Sequence, residues 1–419
     1  MVRAEKQQEL KQGLFAEASA HENNPKWQKY ITRENPIYKK PDDIRSEFAR
    51  DYNRILHSTA YRRLKHKTQV FYATNNDHVC TRIEHVNHVA AISQTIAKYL
   101  GLNVELVNAI AIGHDLGHPP FGHVGEKILD KIINEQGLEL KFWHEGNSLR
   151  FVDKVETLPD SSGNEQNLNL TYAVRDGIVC HCGEVDQNVL YPREEFIDLE
   201  TIQKASEFQP YTWEGCIVKI SDKIAYLGRD IEDALTYKIL TISQKKELKK
   251  IAESCLGKFK IAEINNTVLI HDFIIDLCRL SNPQDGIRLS KEYLELMKAV
   301  KQFNYKNIYY HPRLKHYTKY AELVITSIFE ILAGYYRGQD TLTRINKDRE
   351  FYPVLTQHIE EWLIKYSDIS PKTGKYKHYK NQTLYKIEDQ KDYQQAVIDF
   401  ISGMTDHFAI KVFNEITSF

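Results

Sequence analysis

Ala111-Ile112-Gly113-His114-Asp115-Leu116-Gly117-His118 sets an imidazole and a carboxylate side by side in a run that otherwise reads as buried helix. Adjacent residues on a helix point about 100° apart. That suits two neighbouring ligands of one octahedral cation, the preference of Mn, Mg and Fe(II) sites. A helix that buries a His and an ionisable Asp together must satisfy both, and a metal ion does so. Taken alone, such a pair also recurs by chance on solvated surfaces, so the flanking sequence has to decide.

Upstream, Thr81-Arg82-Ile83-Glu84-His85-Val86-Asn87-His88-Val89 opens a helical pattern continued by Ile92, Ile96 and Leu100. Gly101 stands where a C-cap glycine belongs. A second apolar helix is predicted from about Val104 to Leu116. The two pack as a hairpin that can set His85 opposite His114. Downstream, Gly215-Cys216-Ile217-Val218-Lys219-Ile220-Ser221-Asp222 carries one carboxylate, Asp222, within an apolar helical stretch. His85, His114, Asp115 and Asp222 make a two-His, two-Asp ligand set with positions left for water or phosphate oxygens.

The order His … His-Asp … Asp resembles the signature of the HD-domain metal-dependent phosphohydrolases. His114-Asp115-Leu116-Gly117-His118-Pro119-Pro120-Phe121-Gly122-His123-Val124-Gly125-Glu126 resembles the central motif of the deoxynucleoside triphosphate triphosphohydrolases, the dGTPase family. Thr81–His85, Tyr61-Arg62-Arg63-Leu64-Lys65-His66-Lys67-Thr68-Gln69-Val70-Phe71 and Phe142-Trp143-His144-Glu145-Gly146-Asn147 look like further motifs of that family. Asp399-Phe400-Ile401-Ser402-Gly403-Met404-Thr405-Asp406-His407 is similar to its closing helix. The likeness is dense from Arg45 to Asp233 and returns in the last 25 or so residues. It implies an all-α fold, an HD-domain helical core with additional N- and C-terminal helices.

Composition agrees with that class. A chain of 419 residues with 19 glycines and 12 prolines has room for a large core and few tight turns. No run of alternating residues is long enough for a sheet core. The net charge of −1 supplies no global basic field for nucleic acid. The six cysteines are scattered, and Cys180-His181-Cys182 suits neither a zinc ribbon nor a redox pair. They read as reduced thiols. No signal-like N-terminus and no apolar run of roughly 18 residues is present, so the expected location is cytoplasmic, with no membrane partner.

Three segments are expected. Residues 1–45 are polar, with a helix near Glu5–Ala18. Residues 46–235 form the HD phosphohydrolase core, with Leu158–Gln166 as a surface loop. Residues 236–419 form a C-terminal helical region that includes a helix over Lys319–Gly334. The stretch Tyr366–Tyr385 interleaves lysines with Tyr376, Tyr379 and Tyr385. It reads as a solvated loop, or as a contact for nucleotide or nucleic acid.

No Gly-x-x-x-x-Gly-Lys loop is present, so phosphate has to be gripped by metal and side chains. Arg82, three residues before His85, and Lys223, directly after Asp222, are placed to neutralise phosphate charge. The family more often has an acidic residue at the position of Lys223. Asp222, Tyr226 and Asp230 fall at i, i+4 and i+8 on one helix face. With phosphate at the metal end, Tyr226 would pack on the sugar and crowd a 2′-hydroxyl. Asp230 would accept from the 3′-hydroxyl, and Gln69 is a second sugar candidate. By resemblance, His123 and Glu126 are the catalytic pair, and His118 and His144 line the triphosphate.

These readings imply a divalent-metal hydrolase, with Mn, Mg or Fe as cofactor. It would convert a deoxynucleoside triphosphate, dGTP or several dNTPs, to deoxynucleoside and tripolyphosphate. The resemblance also implies a homo-oligomer and a dNTP or single-stranded DNA effector. The alternatives are another HD-type nucleotidase or phosphodiesterase, or a nucleotide-sensing or nucleic-acid-binding protein with an inactive site.

Overall fold

The computed structural model describes residues 13–37, 42–71, 79–182, 188–257, 265–370 and 372–418. Among these the fold is all-α, with seventeen α-helices. The only sheets among the described residues are two antiparallel two-stranded ribbons, 157–159 with 165–167 and 189–190 with 287–288.

The helical hairpin forms as its sequence dictates. Thr81 and Glu84 close a capping box at the start of the Arg82–Leu100 helix, with Thr81 N donating to Glu84 Oε2 at 2.7 Å. Val86, Val89, Ile96 and Leu100 are fully buried. Gly101 ends the helix in the left-handed region at φ 85°. Asn103 Oδ1 then accepts from the Glu105 and Leu106 amides to start the Val104–Gly113 helix.

That second helix stops three residues earlier than its apolar pattern predicts. The groups that would extend it are engaged by the His144–Arg150 helix. Ser148 Oγ donates to His114 O at 2.8 Å and accepts from Gly117 N at 2.9 Å. Asn147 Nδ2 donates to Gly117 O at 2.6 Å. The chain therefore turns just after His114, and Asp115 and His118 project from that turn. The Trp213–Thr236 helix packs on both hairpin helices and brings Asp222 to the same place.

Two other expectations are corrected, and two that hold are refined. Of the helix expected near Glu5–Ala18, residues 5–12 lie outside the described residues, and 13–18 form turns. Their amides bond to the neighbouring helix end, Gly13 N to Tyr99 O and Phe15 N to Leu100 O. Residues 158–166, expected as a loop, belong to the first β ribbon. Only its tip is a turn, where Asp160 Oδ1 accepts from the Ser162 and Asn164 amides. The helix expected over Lys319–Gly334 starts earlier, at Pro312, with His311 as its cap. Within it Leu323 faces outward while Ala321, Ile325, Ile328 and Leu332 are buried. The lysine–tyrosine stretch is not wholly free in solvent: Glu165 N donates to His378 O, and Lys375 pairs with Glu361.

Segments far apart in the sequence meet at the turn after His118. Asp406 accepts from Phe121 N at 2.9 Å and from Thr68 Oγ1 at 2.7 Å. Phe121 has φ 65°, unusual for a bulky residue, and that bond helps hold it. Buried Lys67 donates to His118 O and to Ser402 O. Arg150 pairs with Asp399 at 2.6 Å.

Gly117 marks the tightest approach in this region. A Cβ there would stand 2.1 Å from Ser148 N and 2.4 Å from Asn147 C, both backbone atoms. Gly117→Ala is expected to lower stability by about 3 kcal/mol, the upper end for overpacking, because backbone cannot move aside as a side chain can. Denaturant unfolding measures it; a loss near zero would show that the two segments separate freely.

Candidate metal centre and active site

Asp115 stands at the centre of the site. It is 3% exposed, and its Oδ2 lies 2.7 Å from Arg82 Nη1. Its Oδ1 lies 3.0 Å from His118 Nδ1 and 3.5 Å from His114 Nε2. Burial alone would raise its pKa, but the facing His118 nitrogen and the Arg82 guanidinium outweigh that and hold the carboxyl well below the usual range. Asp222 follows the same rule. Burial pushes it up, and the hydrogen bond from His85, 2.9 Å away, brings it down to about 2.

The donor set fits a divalent cation. His114 Nδ1 sits 2.6 Å from Ala111 O, so Nδ1 carries the proton and Nε2 presents a lone pair. That Nε2 is buried with no hydrogen-bond partner. It lies 3.5 Å from Asp115 and 3.9 Å from Asp222, too far for hydrogen bonds. The donor atoms of His85, His114 and Asp115 lie within 4.8 Å of one another, as do those of His114, His181 and Asp222. A cation among them supplies the partner that His114 lacks.

Beside this cluster stands a second group of imidazoles. The rings of His118 and His144 are 3.9 Å apart, and each is just over 5 Å from the ring of His123. Glu126 Oε2 joins two of them, 3.1 Å from His123 Nδ1 and 3.2 Å from His144 Nδ1. Glu126 Oε1 also accepts from the His144 amide. Burial would lower the His144 pKa, but the carboxylates of Glu145 and Glu126 raise it to about 10. Burial and the Arg82 charge hold His118 well below its usual value. Neighbouring imidazoles therefore differ in charge. His123 is the solvent-facing member, with its side chain 52% exposed on the first turn of the Gly122–Glu135 helix. Gly122 is required there: at φ 58°, a Cβ would come 2.9 Å from Arg82 Nη2 and 3.6 Å from Gln69 O.

Tyr226 and Asp230 follow Asp222 along the Trp213–Thr236 helix, with Tyr226 half-buried and Asp230 buried. Lys223 is buried one residue beyond Asp222. Gln69 keeps its Oε1 buried and unpartnered. Asp230 accepts from Tyr309 OH. Burial raises Asp230 to about 7, against the opposing pull of that bond and of His85 and His123. The structure thus gathers Arg82, His85, His114, Asp115, His118 and Asp222 tightly, with His123, Glu126 and His144 next to them and Asp230 within electrostatic reach.

Two residues escaped the sequence reading. His181 lies inside Cys180-His181-Cys182, a spacing that fits neither a zinc ribbon nor a redox pair. All six cysteines are free. The signal was its likeness to His114, another histidine directly after an apolar helical run. Burial holds His181 neutral, with a pKa of about 3. Tyr309 comes from the half of the chain where motifs were thin, and no local pattern marked it.

Comparison with known proteins agrees with this geometry. An HD domain model matches residues 82–227, from the helix of His85 to the helix of Asp222. A phosphohydrolase-associated domain model matches residues 287–346 and 374–415. A deoxyguanosinetriphosphate triphosphohydrolase-like protein of Caldanaerobacter subterraneus subsp. tengcongensis is 33% identical over 374 residues, covering 89% of this chain and 86% of that one. Proteins of the same description from Clostridium tetani (33%; 92% and 89% covered) and Desulfatibacillum aliphaticivorans (31%; 90% and 89%) are similar. No helix among the described residues is long and apolar enough to cross a membrane.

The raised pKa of Asp230 has a measurable consequence. An acid that binds its proton more tightly folded than unfolded favours the fold below its unfolded pKa. That contribution is lost as pH rises from about 4 to about 7. Thermal unfolding of wild type and Asp230→Asn across this window is expected to show wild type losing ground steadily, then running parallel above pH 7. Parallel curves throughout would contradict the buried, raised carboxyl.

Proposed function

Because the chain belongs to the deoxyguanosinetriphosphate triphosphohydrolase-like family of HD-domain phosphohydrolases, we propose that it hydrolyses deoxynucleoside triphosphates to deoxynucleoside and tripolyphosphate. The observation that carries this reading is the juxtaposition of two clusters. A buried His/Asp set suited to a cation abuts a solvent-facing His123–Glu126 pair that shares its carboxylate with His144.

In this reading His85, His114, Asp115 and Asp222 hold a divalent ion. When bound, that ion supplies Lewis-acid polarisation of a phosphoryl oxygen. Arg82, already aimed at Asp115, turns its remaining guanidinium edge to the phosphate. Cationic His144 and, further out, Lys223 add charge along the triphosphate, and neutral His118 lines it. Water attacks the α-phosphorus and releases a proton to solvent as the new P–O bond forms, and the bond to the sugar's 5′-oxygen breaks. His123 delivers the proton that the leaving oxygen needs, and Glu126 orients the ring. The sugar then lies along the helix from Asp222. Tyr226 limits space at the 2′ position, while Asp230 and Gln69 accept or share hydrogen bonds from the hydroxyls.

The competing HD nucleotidase reading shares the metal set and differs in product. Incubating the protein with each dNTP, singly and mixed, with Mn²⁺ or Mg²⁺, is expected to release tripolyphosphate. Release of orthophosphate or a nucleoside monophosphate would favour the nucleotidase. Asp115→Ala is expected to abolish turnover and to lower bound metal.

His123→Ala is expected to lose roughly 10²–10⁴-fold in kcat while keeping its metal, the usual worth of a positioned acid or base. Loss of metal with the fold intact would reassign it. Wild type is expected to cleave dGTP far faster than GTP, with Tyr226→Ala narrowing the ratio of kcat/KM. Equal cleavage of the two by wild type would refute sugar selection.

A further inference from the structure

His114 and His181 are built alike. Each directly follows the last residue of a helix, Val104–Gly113 and Tyr172–Cys180 respectively. Each has Nδ1 2.6 Å from the carbonyl oxygen three residues earlier, Ala111 in one case and Ile178 in the other. Both side chains are essentially sealed from solvent, and the rings meet edge-on at 4.7 Å. The backbone bond fixes the proton on Nδ1 in both rings, so both present Nε2 as a lone-pair donor. A buried imidazole held in this tautomer is prepared as a metal ligand, and the HD ligand set leaves His181 without a role.

The placement of that donor is specific. The donor atoms of His181, His114 and Asp222 lie within 4.8 Å of one another, and so do those of His181, Asp115 and His144. Ligands about 2.1 Å from an octahedral ion are separated by at most about 4.2 Å. Small side-chain movements bring the His181 donor into such a set. His85 joins the cluster through His114 and Asp115, and is not in either group that contains His181. The two imidazoles thus flank His114.

We propose that His181 is a fifth protein ligand of the metal centre, which then comprises three imidazoles and two carboxylates and selects Mn²⁺, Fe²⁺ or Co²⁺ over Mg²⁺. The selectivity follows from ligand chemistry. Mg²⁺ favours oxygen donors and keeps its waters, whereas each added imidazole favours first-row transition ions. The inference rests on the metal-centre reading but not on the identity of the substrate, and its test contains no nucleotide.

The test has two parts. Electron–nuclear double resonance on Mn²⁺-loaded wild-type protein, with ¹⁵N-labelled histidine, counts the coordinated imidazoles. Three are expected; two would overturn the proposal, and this arm needs no variant. Mn²⁺ and Mg²⁺ affinities are then measured on chelator-stripped wild type and His181→Asn. A residue that only packs against the site would weaken both ions alike. A ligand removes nitrogen, so the Mn²⁺/Mg²⁺ affinity ratio is expected to fall by about 10-fold or more, the lower end for altered metal sites. An unchanged ratio would overturn the proposal.

Discussion

A buried carboxylate that must stay ionised is the constraint on which this structure depends. Asp115 is almost without solvent, and an isolated charge there would carry a penalty of several kcal/mol. His118, whose Nδ1 lies 3.0 Å from its Oδ1, and Arg82, 2.7 Å from its Oδ2, face it and hold it charged. Each of these partners is buried too and needs its own fixed position. The Thr81–Glu84 capping box starts the helix that carries Arg82 and His85. The turn after Gly113 brings the side chains of His114 and His118 to the Asp115 carboxylate within five residues.

Much of the remaining chain serves to hold that turn. Ser148 and Asn147 take up its backbone groups, so helix gives way to a turn from which Asp115 and His118 project. Lys67 and Asp406 secure the far side, tying a residue near the start of the core to one near the end of the chain. This explains why a region with no chemistry of its own carries recognisable motifs. Asp399, Ser402 and Asp406 are anchors for the arms of the site: Asp399 holds Arg150, the Ser402 carbonyl accepts from Lys67, and Asp406 accepts from Phe121 N.

What was legible in the sequence follows from the same physics. The hairpin, the His/Asp set and Asp222 were readable because helical periodicity and caps are local, and because an ionisable residue in an apolar run announces itself. The early stop at Gly113 was not readable, since Ser148 and Asn147 enforce it from a distant helix. The ribbon at 157–167 was hidden because its Ser, Gly and Asn residues mark the tip while its strands are three residues long. His181 was overlooked because its geometry becomes meaningful only when the Tyr172–Cys180 helix is laid beside His114. Tyr309 reaches Asp230 across 79 residues of sequence, beyond any spacing rule.

In the proposed reaction, water attacks the α-phosphorus and the nucleoside leaves at its 5′-oxygen. Hydrolysis of dGTP in ¹⁸O-labelled water tests it most directly, with mass spectrometry of both products. The account predicts one ¹⁸O in tripolyphosphate and none in the deoxynucleoside. Label in the deoxynucleoside, or label confined to orthophosphate, would contradict it.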